Sequence, residues 1–282
     1  MTLAHKLICK IATLSRTHKL RRLDPLFRLI HNPDNRKENA VKRAIVLDNK
    51  LVFNIDTSSY LEWTMFFYGD YEPFIQKIIM SVLRPGDIVI DVGANIGIHS
   101  LVMAQTVGKT GAVYSFEPHP IIFNKLVTNI GLNNMRWVHP IKAALSDSSG
   151  QAVLQGFGES SNQGTSTLCT SDKTNNQFQI KTITLDEFVA STKIPSLSLI
   201  KIDVEGHELN VLQGAIKTLA TFKPLIIFEN SKKNIPCELF WNLGYAIYQI
   251  HHDHVTPSIM ANTKGYNFLA IPLDYKESIA HR

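Results

Sequence analysis

Four apolar runs in this 282-residue chain give out in acids. Ile88, Val89 and Ile90 stop at Asp91, and Ala112 to Phe116 stops at Glu117. The run from Leu197 to Val204 reaches Asp203 and Glu205, and Pro224 to Phe228 is closed by Glu229 and Asn230. Runs this short and this apolar suit strands covered on both faces of a parallel sheet, whose ligands bind beyond the carboxyl ends of the strands. Acids placed there can accept hydrogen bonds from hydroxyls, face a cation or take up a proton.

The first two acids outline a nucleotide-type site. From Asp91 the chain reads D-x-G-x-N-x-G, through Gly93, Asn95 and Gly97, and passes directly into an apolar-periodic helix near Ile98. Strand, tight loop and helix form the first unit of a Rossmann-like fold. Glu117 follows twenty residues beyond Gly97, at the distance where a carboxylate receives two ribose hydroxyls. A dinucleotide wants G-x-G-x-x-G, so that bare backbone and a helix N-terminus meet a pyrophosphate. Here the middle glycine is missing, and an acid at Asp91, read as lying on the rim of the loop, repels a diphosphate but suits the ammonium and sulfonium of S-adenosylmethionine. The expected cofactor residues are therefore Asp91, Gly93, Asn95, Gly97 and Glu117. Tyr71 and Glu72 join them from the aromatic and acidic stretch Tyr68 to Pro73, read either as a cover for the cofactor or as packing against the sheet edge. An NAD-dependent oxidoreductase and a non-catalytic S-adenosylmethionine-binding module are the competing readings.

Methyl transfer from a sulfonium is an in-line displacement, so the protein must align an acceptor oxygen and take its proton. Asp203 and Glu205 end the next strand across the switch point and are the expected bases. Lys201 shares a strand face with Asp203 and is expected to pair with an acid or orient the substrate. His207 has a suitable intrinsic pKa for a base, whereas Glu208 reads as an acid favourable to the following helix dipole. A metal-assisted variant groups Asp203, Glu229 and Asn230 as oxygen ligands for Mg²⁺, which would lower the pKa of an acceptor hydroxyl.

Strands alternate with helices from the first acid-tipped run onward. The last strands are Tyr245 to Ile250 and Tyr266 to Ile271, giving a doubly wound sheet with one antiparallel strand at its end. Before it come a hairpin (Ala44 to Leu47 and Leu51 to Ile55), a polar linker from His31 to Asn39, and an N-terminal helix with Leu3, Leu7, Ile11 and Leu14 at helical spacing. Residues 156 to 177 read as a polar surface excursion, expected to border the substrate.

With these residues in view, the chain resembles the FkbM family of S-adenosylmethionine-dependent methyltransferases. The resemblance is carried by DVGANIG at 91 to 97, FEP at 116 to 118, TLDEF at 184 to 188, LIKIDVEGHELNVLQGA at 199 to 215 and FEN at 228 to 230. It implies a Rossmann-like seven-stranded class I methyltransferase domain and O-methylation of a hydroxyl on a sugar, glycolipid or secondary metabolite. Residues 1 to 70 are then an extension of basic helix, linker and hairpin, and 71 to 282 the methyltransferase domain.

The net charge of +5 is concentrated at the N-terminus, where Lys6, Lys10, Arg16, Lys19, Arg21 and Arg22 all precede the first acid, Asp24. That basic helix is expected either to pack on the catalytic domain or to touch a membrane surface through residues 1 to 22. No apolar run is long enough for a membrane span. Cys9, Cys169 and Cys237 are odd in number and far apart, against a disulfide framework or zinc site, so a reducing cytoplasm is the expected compartment. A small-molecule or glycan acceptor is expected, and no nucleic-acid partner.

Overall fold

The computed structural model describes residues 3–18, 20–31, 40–155, 167–168, 177–230, 235, 237–258 and 266–275. The chain opens with α1 (Leu3–His18), a 3₁₀ turn (Arg21–Leu23) and α2 (Asp24–Ile30), then the hairpin β1 (Lys42–Val46) and β2 (Val52–Asp56), then α3 (Tyr60–Tyr68) and α4 (Pro73–Val82). The alternating part runs β3 (Ile88–Val92), α5 (Ile98–Val107), β4 (Ala112–Phe116), α6 (Pro120–Leu132) and β5 (Val138–Ile141). There follow β6 (Ala144–Leu145), β7 (Gly150–Gln155), β8 (Thr167–Leu168), β9 (Gln177–Ile183) and α7 (Leu185–Thr192). The chain continues with β10 (Leu199–Ile202), α8 (Glu208–Gln213), α9 (Ile216–Phe222), β11 (Leu225–Glu229) and α10 (Cys237–Asn242). Last come β12 (Tyr245–Ile250), β13 (Val255–Pro257) and β14 (Asn267–Pro272).

The main sheet has the order β13-β12-β14-β11-β10-β3-β4-β5. β5, β4, β3, β10 and β11 are parallel, and β14 runs antiparallel between β11 and β12. This is the expected doubly wound class I methyltransferase architecture, with two differences. An antiparallel strand, β14, is inserted inside the sheet, and the short β13 adds an eighth strand to the expected seven, antiparallel to β12 at the edge. Chain order reverses between β3 and β10, so their carboxyl ends flank the crevice where such sheets bind ligands. β6, β9, β7 and β8 form a separate sheet. Most of the polar excursion, residues 156–166 and 169–176, lies outside the described residues, as does the linker over 32–39.

Alternation along the strands splits the core in two. Val89, Val113, Leu199 and Ile227 face α4, α5 and α6, while Ile90, Phe116, Ile200 and Phe228 face α7 to α10. Residues of α1 to α3 join the first of these cores without a break. The hairpin is tied to α6, where Asn133 Oδ1 accepts from Val52 N (2.9 Å) and Asn129 Oδ1 from Asn54 N (2.8 Å).

Local structure departs from the sequence reading at three places. α3, YLEWTMFFY, escaped the sequence reading because it is apolar nearly all round and shows no helical period. It buries Trp63, Met65, Phe66 and Phe67, with Phe27 of α2 stacked on Phe67. α1 does pack on this unit, but through Ile8, Cys9, Ala12 and Ser15, leaving Leu7 and Leu14 of the expected apolar face exposed. The helix expected after β10 is broken into α8 and α9 at Gly214, where a Cβ would lie 2.0 Å from the Ser146 carbonyl oxygen.

Candidate active site

A cavity of about 340 Å³ opens at the carboxyl ends of β3, β4, β10 and β11. Its walls bring together Tyr71, Glu72, Gly93, Asn95, Glu117, Lys201, Asp203, Glu205, His207 and Glu229 from the sequence reading. Asp91, Gly97 and Asn230 do not reach it.

The loop after β3 is built from backbone. Gly93 N and Ala94 N both donate to Phe116 O, at 3.0 and 2.9 Å. Asn95, in the left-handed region, turns its Oδ1 onto Ile96 N at 2.8 Å. The two glycines are required by packing. A Cβ on Gly93 (φ +80°) would stand 1.8 Å from the Asp203 carbonyl oxygen, and one on Gly97 (φ +96°) would stand 2.7 Å from Leu126 Cδ1. The expectation that Gly97 allows close approach of a cofactor is therefore corrected: what approaches it is α6.

Glu117 is the hinge of the site. Its Oε2 accepts from Asn95 N and its Oε1 from His119 N, both at 2.9 Å, so one carboxylate ties the loop after β3 to the loop after β4. Burial pushes its pKa up to about 7; the two backbone N–H groups pull down, and Asp91 and Asp203 add to the rise. Each oxygen keeps a further acceptor position.

Lys201 is 3% exposed and donates to Asp203 Oδ2 at 3.0 Å. It lies in register with Asp91 on β3. Asp91 is a correction to the sequence reading: it stands 1% exposed behind the loop, accepting from Ser100 Oγ (2.6 Å), which in turn accepts from Ser115 Oγ (2.8 Å). Burial tends to lower the Lys201 pKa, but Asp203, Asp91 and Glu72 together hold it above its ordinary value. One cation cannot neutralise three acids, and burial leaves the pKa values of both Asp91 and Glu72 raised despite the pull of Lys201. His99, on α5, is kept neutral by burial and by Lys201. Its Nε2 lies 3.5 Å from Glu72 Oε2, and neither buried atom has a hydrogen bond among the described residues. Glu72 Oε1 accepts from Asn267 Nδ2 at 3.4 Å, and burial beside Glu72 raises the Tyr71 phenol.

The acids after β10 and β11 meet at the far end. Burial and the charges of Asp203, Glu205 and Glu208 push the Glu229 pKa up to about 8. Glu229 is therefore largely protonated near neutral pH. Glu208 is fully buried and accepts from Val204 N (3.1 Å) and Gly206 N (3.0 Å), shaping the loop that presents Glu205. His207 Nε2 lies 3.0 Å from Ser146 Oγ, which donates to Asp147 Oδ1 at 3.1 Å. The Mg²⁺ grouping is corrected too: Asn230 is buried away from the cavity, its Oδ1 accepting from Ile235 N at 3.4 Å. No His, Cys, Asp and Glu group among the described residues is arranged to hold a metal. Tyr68 is likewise no cover for the site, since its hydroxyl donates to Asp24 in the N-terminal unit.

Sequence reasoning missed His99, His119 and Asn267 as wall residues. His99 lies two residues beyond Gly97, so the motif itself carried a signal for it. Asn267 reaches Glu72 across 195 residues of chain, and no local pattern marks it.

The chain belongs to the FkbM methyltransferase family, whose domain matches residues 91–255. It is similar to the hexuronic acid methyltransferase AglP of Haloferax volcanii, with 32% identity over 156 residues, 55% of this chain and 61% of that protein. It is also similar to the 31-O-demethyl-FK506 methyltransferase FkbM of Streptomyces tacrolimicus, with 30% identity over 159 residues, 47% of this chain and 60% of that one. The match thus spans about three fifths of the length of either relative. Among solved structures, an FkbM methyltransferase from Methylobacillus flagellatus overlays with a TM-score of 0.45 at 16% identity, covering 69% of this chain and 50% of that one. Membership of this family sets aside the nicotinamide-dependent alternative.

Proposed function

We infer that this protein is an S-adenosylmethionine-dependent O-methyltransferase acting on a hydroxyl of a sugar, glycolipid or secondary metabolite. The observation that carries this reading is Glu117, buried in the cavity wall with one backbone donor on each oxygen and acceptor capacity left for a ribose. The family match and the methyltransferase activities named for the two relatives support it.

The residues fit the donor. The cavity wall has five acids, Glu72, Glu117, Asp203, Glu205 and Glu229, against the single cation Lys201 among its described Lys and Arg residues. That surplus suits a ligand with an ammonium and a sulfonium. Glu72 Oε2 and His99 Nε2, buried and without a hydrogen bond among the described residues, are polar atoms whose desolvation a polar ligand would offset. Glu117 would hold the ribose, and Glu72 with the Lys201 cluster the charged end. Bound there, S-adenosylmethionine supplies an electrophilic methyl on sulfur. Asp203 accepts the acceptor hydroxyl's proton, Lys201 fixes its carboxylate, and Glu229 stays protonated in the same wall.

Calorimetry and thermal shift with S-adenosylmethionine, S-adenosylhomocysteine and NAD test the reading. A ligand at about a hundred times its Kd adds roughly 2.7 kcal/mol of stability. Both adenosyl compounds are expected to stabilise the protein and NAD to leave it unchanged. Stabilisation by NAD alone would overturn the reading. Donor binding without methyl transfer to any of a panel of hexuronic acids, neutral sugars and hydroxylated metabolites would favour the non-catalytic module.

A further inference from the structure

We propose that the outer face of α1 and α2 is a membrane-docking surface that seats the protein on anionic lipid. α1 spends one face on α3, through Ile8, Cys9, Ala12 and Ser15, and turns Leu7 and Leu14 outward at 58% and 55% exposure. These leucines are seven residues apart and so lie on one line of the helix, with exposed Lys6 and Lys10 beside it. α2 is built in the same way. Only Phe27 is driven inward, while Leu26, Ile30 and Leu29, the last 82% exposed, face out next to Leu23. Single exposed leucines are ordinary, but six large aliphatic side chains exposed between residues 7 and 30 are a concentration that the packing of α1 and α2 leaves to solvent.

Charge selects the occupant. Residues 1–31 contain seven of the chain's 29 Lys and Arg but only one of its 24 Asp and Glu, so the basic excess of the whole protein lies here. Arg16, Arg21 and Arg28 are used in packing, over the rings of Phe66, Tyr68 and Trp63 respectively. Lys6, Lys10 and Arg22 are exposed and form no ion pair with a described residue. Leucines flanked by cations are the composition of a surface helix lying in an anionic lipid interface. Two copies of this face would repel one another, which disfavours a dimer through it. The surface also adjoins the cavity: Arg28 Nη2 lies 3.5 Å from the hydroxyl of Tyr60, a cavity-wall residue. If the methyltransferase reading holds, docking brings the cavity mouth to the lipid–water boundary, within reach of a lipid-linked acceptor; the docking itself does not depend on that reading.

The test is sedimentation of the full chain with phosphatidylcholine vesicles, with and without about one third phosphatidylglycerol, at low and high salt. Partitioning onto the anionic vesicles is expected to exceed that onto neutral ones by about tenfold or more, and to fall by a similar factor in high salt. The Leu26→Glu/Leu29→Glu double variant is expected to lose binding about tenfold while keeping donor affinity and melting temperature, which separates lost docking from misfolding. Salt-insensitive binding, equal binding to neutral vesicles, or no binding at low salt overturns the proposal. So does a dimer seen by light scattering that the double variant dissociates, which would make the face a contact between copies.

Discussion

Donor affinity should depend on pH through Glu117. In the ligand-free protein this carboxyl titrates at about 7. Ribose hydroxyls donate to the ionised form, so the protonated form must lose its proton before the full contact is made. The folded-state pKa is raised, which means the neutral form dominates below pH 7 and binding weakens as pH falls through that value. If only the ionised form binds, the apparent Kd is multiplied by about eleven at pH 6, about two at pH 7 and about 1.1 at pH 8. From pH 6 to pH 8 affinity therefore rises about tenfold, or about 1.4 kcal/mol. Calorimetry at pH 7 in buffers of different ionisation enthalpy should show release of about half a proton per donor bound. Glu117→Gln keeps the shape and cannot ionise, so it should bind about tenfold or more weakly at pH 8 and lose most of the pH slope. An affinity independent of pH in the wild type, or an undiminished slope in Glu117→Gln, would refute the assignment of the ribose to this residue.

Four further outcomes follow from the same site and its scaffold. Asp203→Asn should lower turnover at saturating donor by about 10² or more, whereas Glu229→Gln, which imitates the protonated residue, should stay within a few-fold of wild type at pH 7; single-turnover assays decide, and the reverse ranking would exchange the roles of the two acids. EDTA should leave turnover unchanged, because Asn230 is turned away from the cavity; loss restored by Mg²⁺ would reinstate the metal variant. Gly93→Ala should cost about 3 kcal/mol or more and Gly97→Ala about 1–2, since the first Cβ meets fixed backbone and the second a movable leucine methyl; urea denaturation ranks them. Lys125→Met strands Glu62, 1% exposed and bonded to Lys125 at 2.6 Å, so it should destabilise by about 3 kcal/mol, and restoring the cation with Lys125→Arg should recover part of that.

What was legible in the sequence was local. The strand, loop and helix from Ile88 to Val107 announce themselves by an apolar run and paired glycines, although the helix itself is buried nearly all round and carries no helical period, and Glu117 follows at fixed spacing. α3 was not legible, because a helix buried all round has no polar face to set a period. The roles of the glycines were readable only as a demand for bare backbone. Which group makes that demand, a ligand or the Asp203 carbonyl, depends on a strand more than a hundred residues away.

Asp91 shows how such a limit changes an argument without reversing it. Read alone, an acid after a strand looks like the residue that meets the donor's positive charge. In the fold it is a buried neighbour of Lys201, held by Ser100, and touches no ligand space. Yet it still acts on that space, because Lys201 is shared among Asp91, Glu72 and Asp203, and every acid added to the cluster leaves less positive charge for the others. The preference for a cationic ligand is therefore a property of the whole wall. Removing Asp91 should free Lys201 to neutralise Glu72 and Asp203, weakening the attraction for a sulfonium from a distance. On this logic Asp91→Asn should weaken binding of S-adenosylmethionine more than that of S-adenosylhomocysteine, which lacks the sulfonium charge. Equal losses for the two would mean that Asp91 only supports the loop.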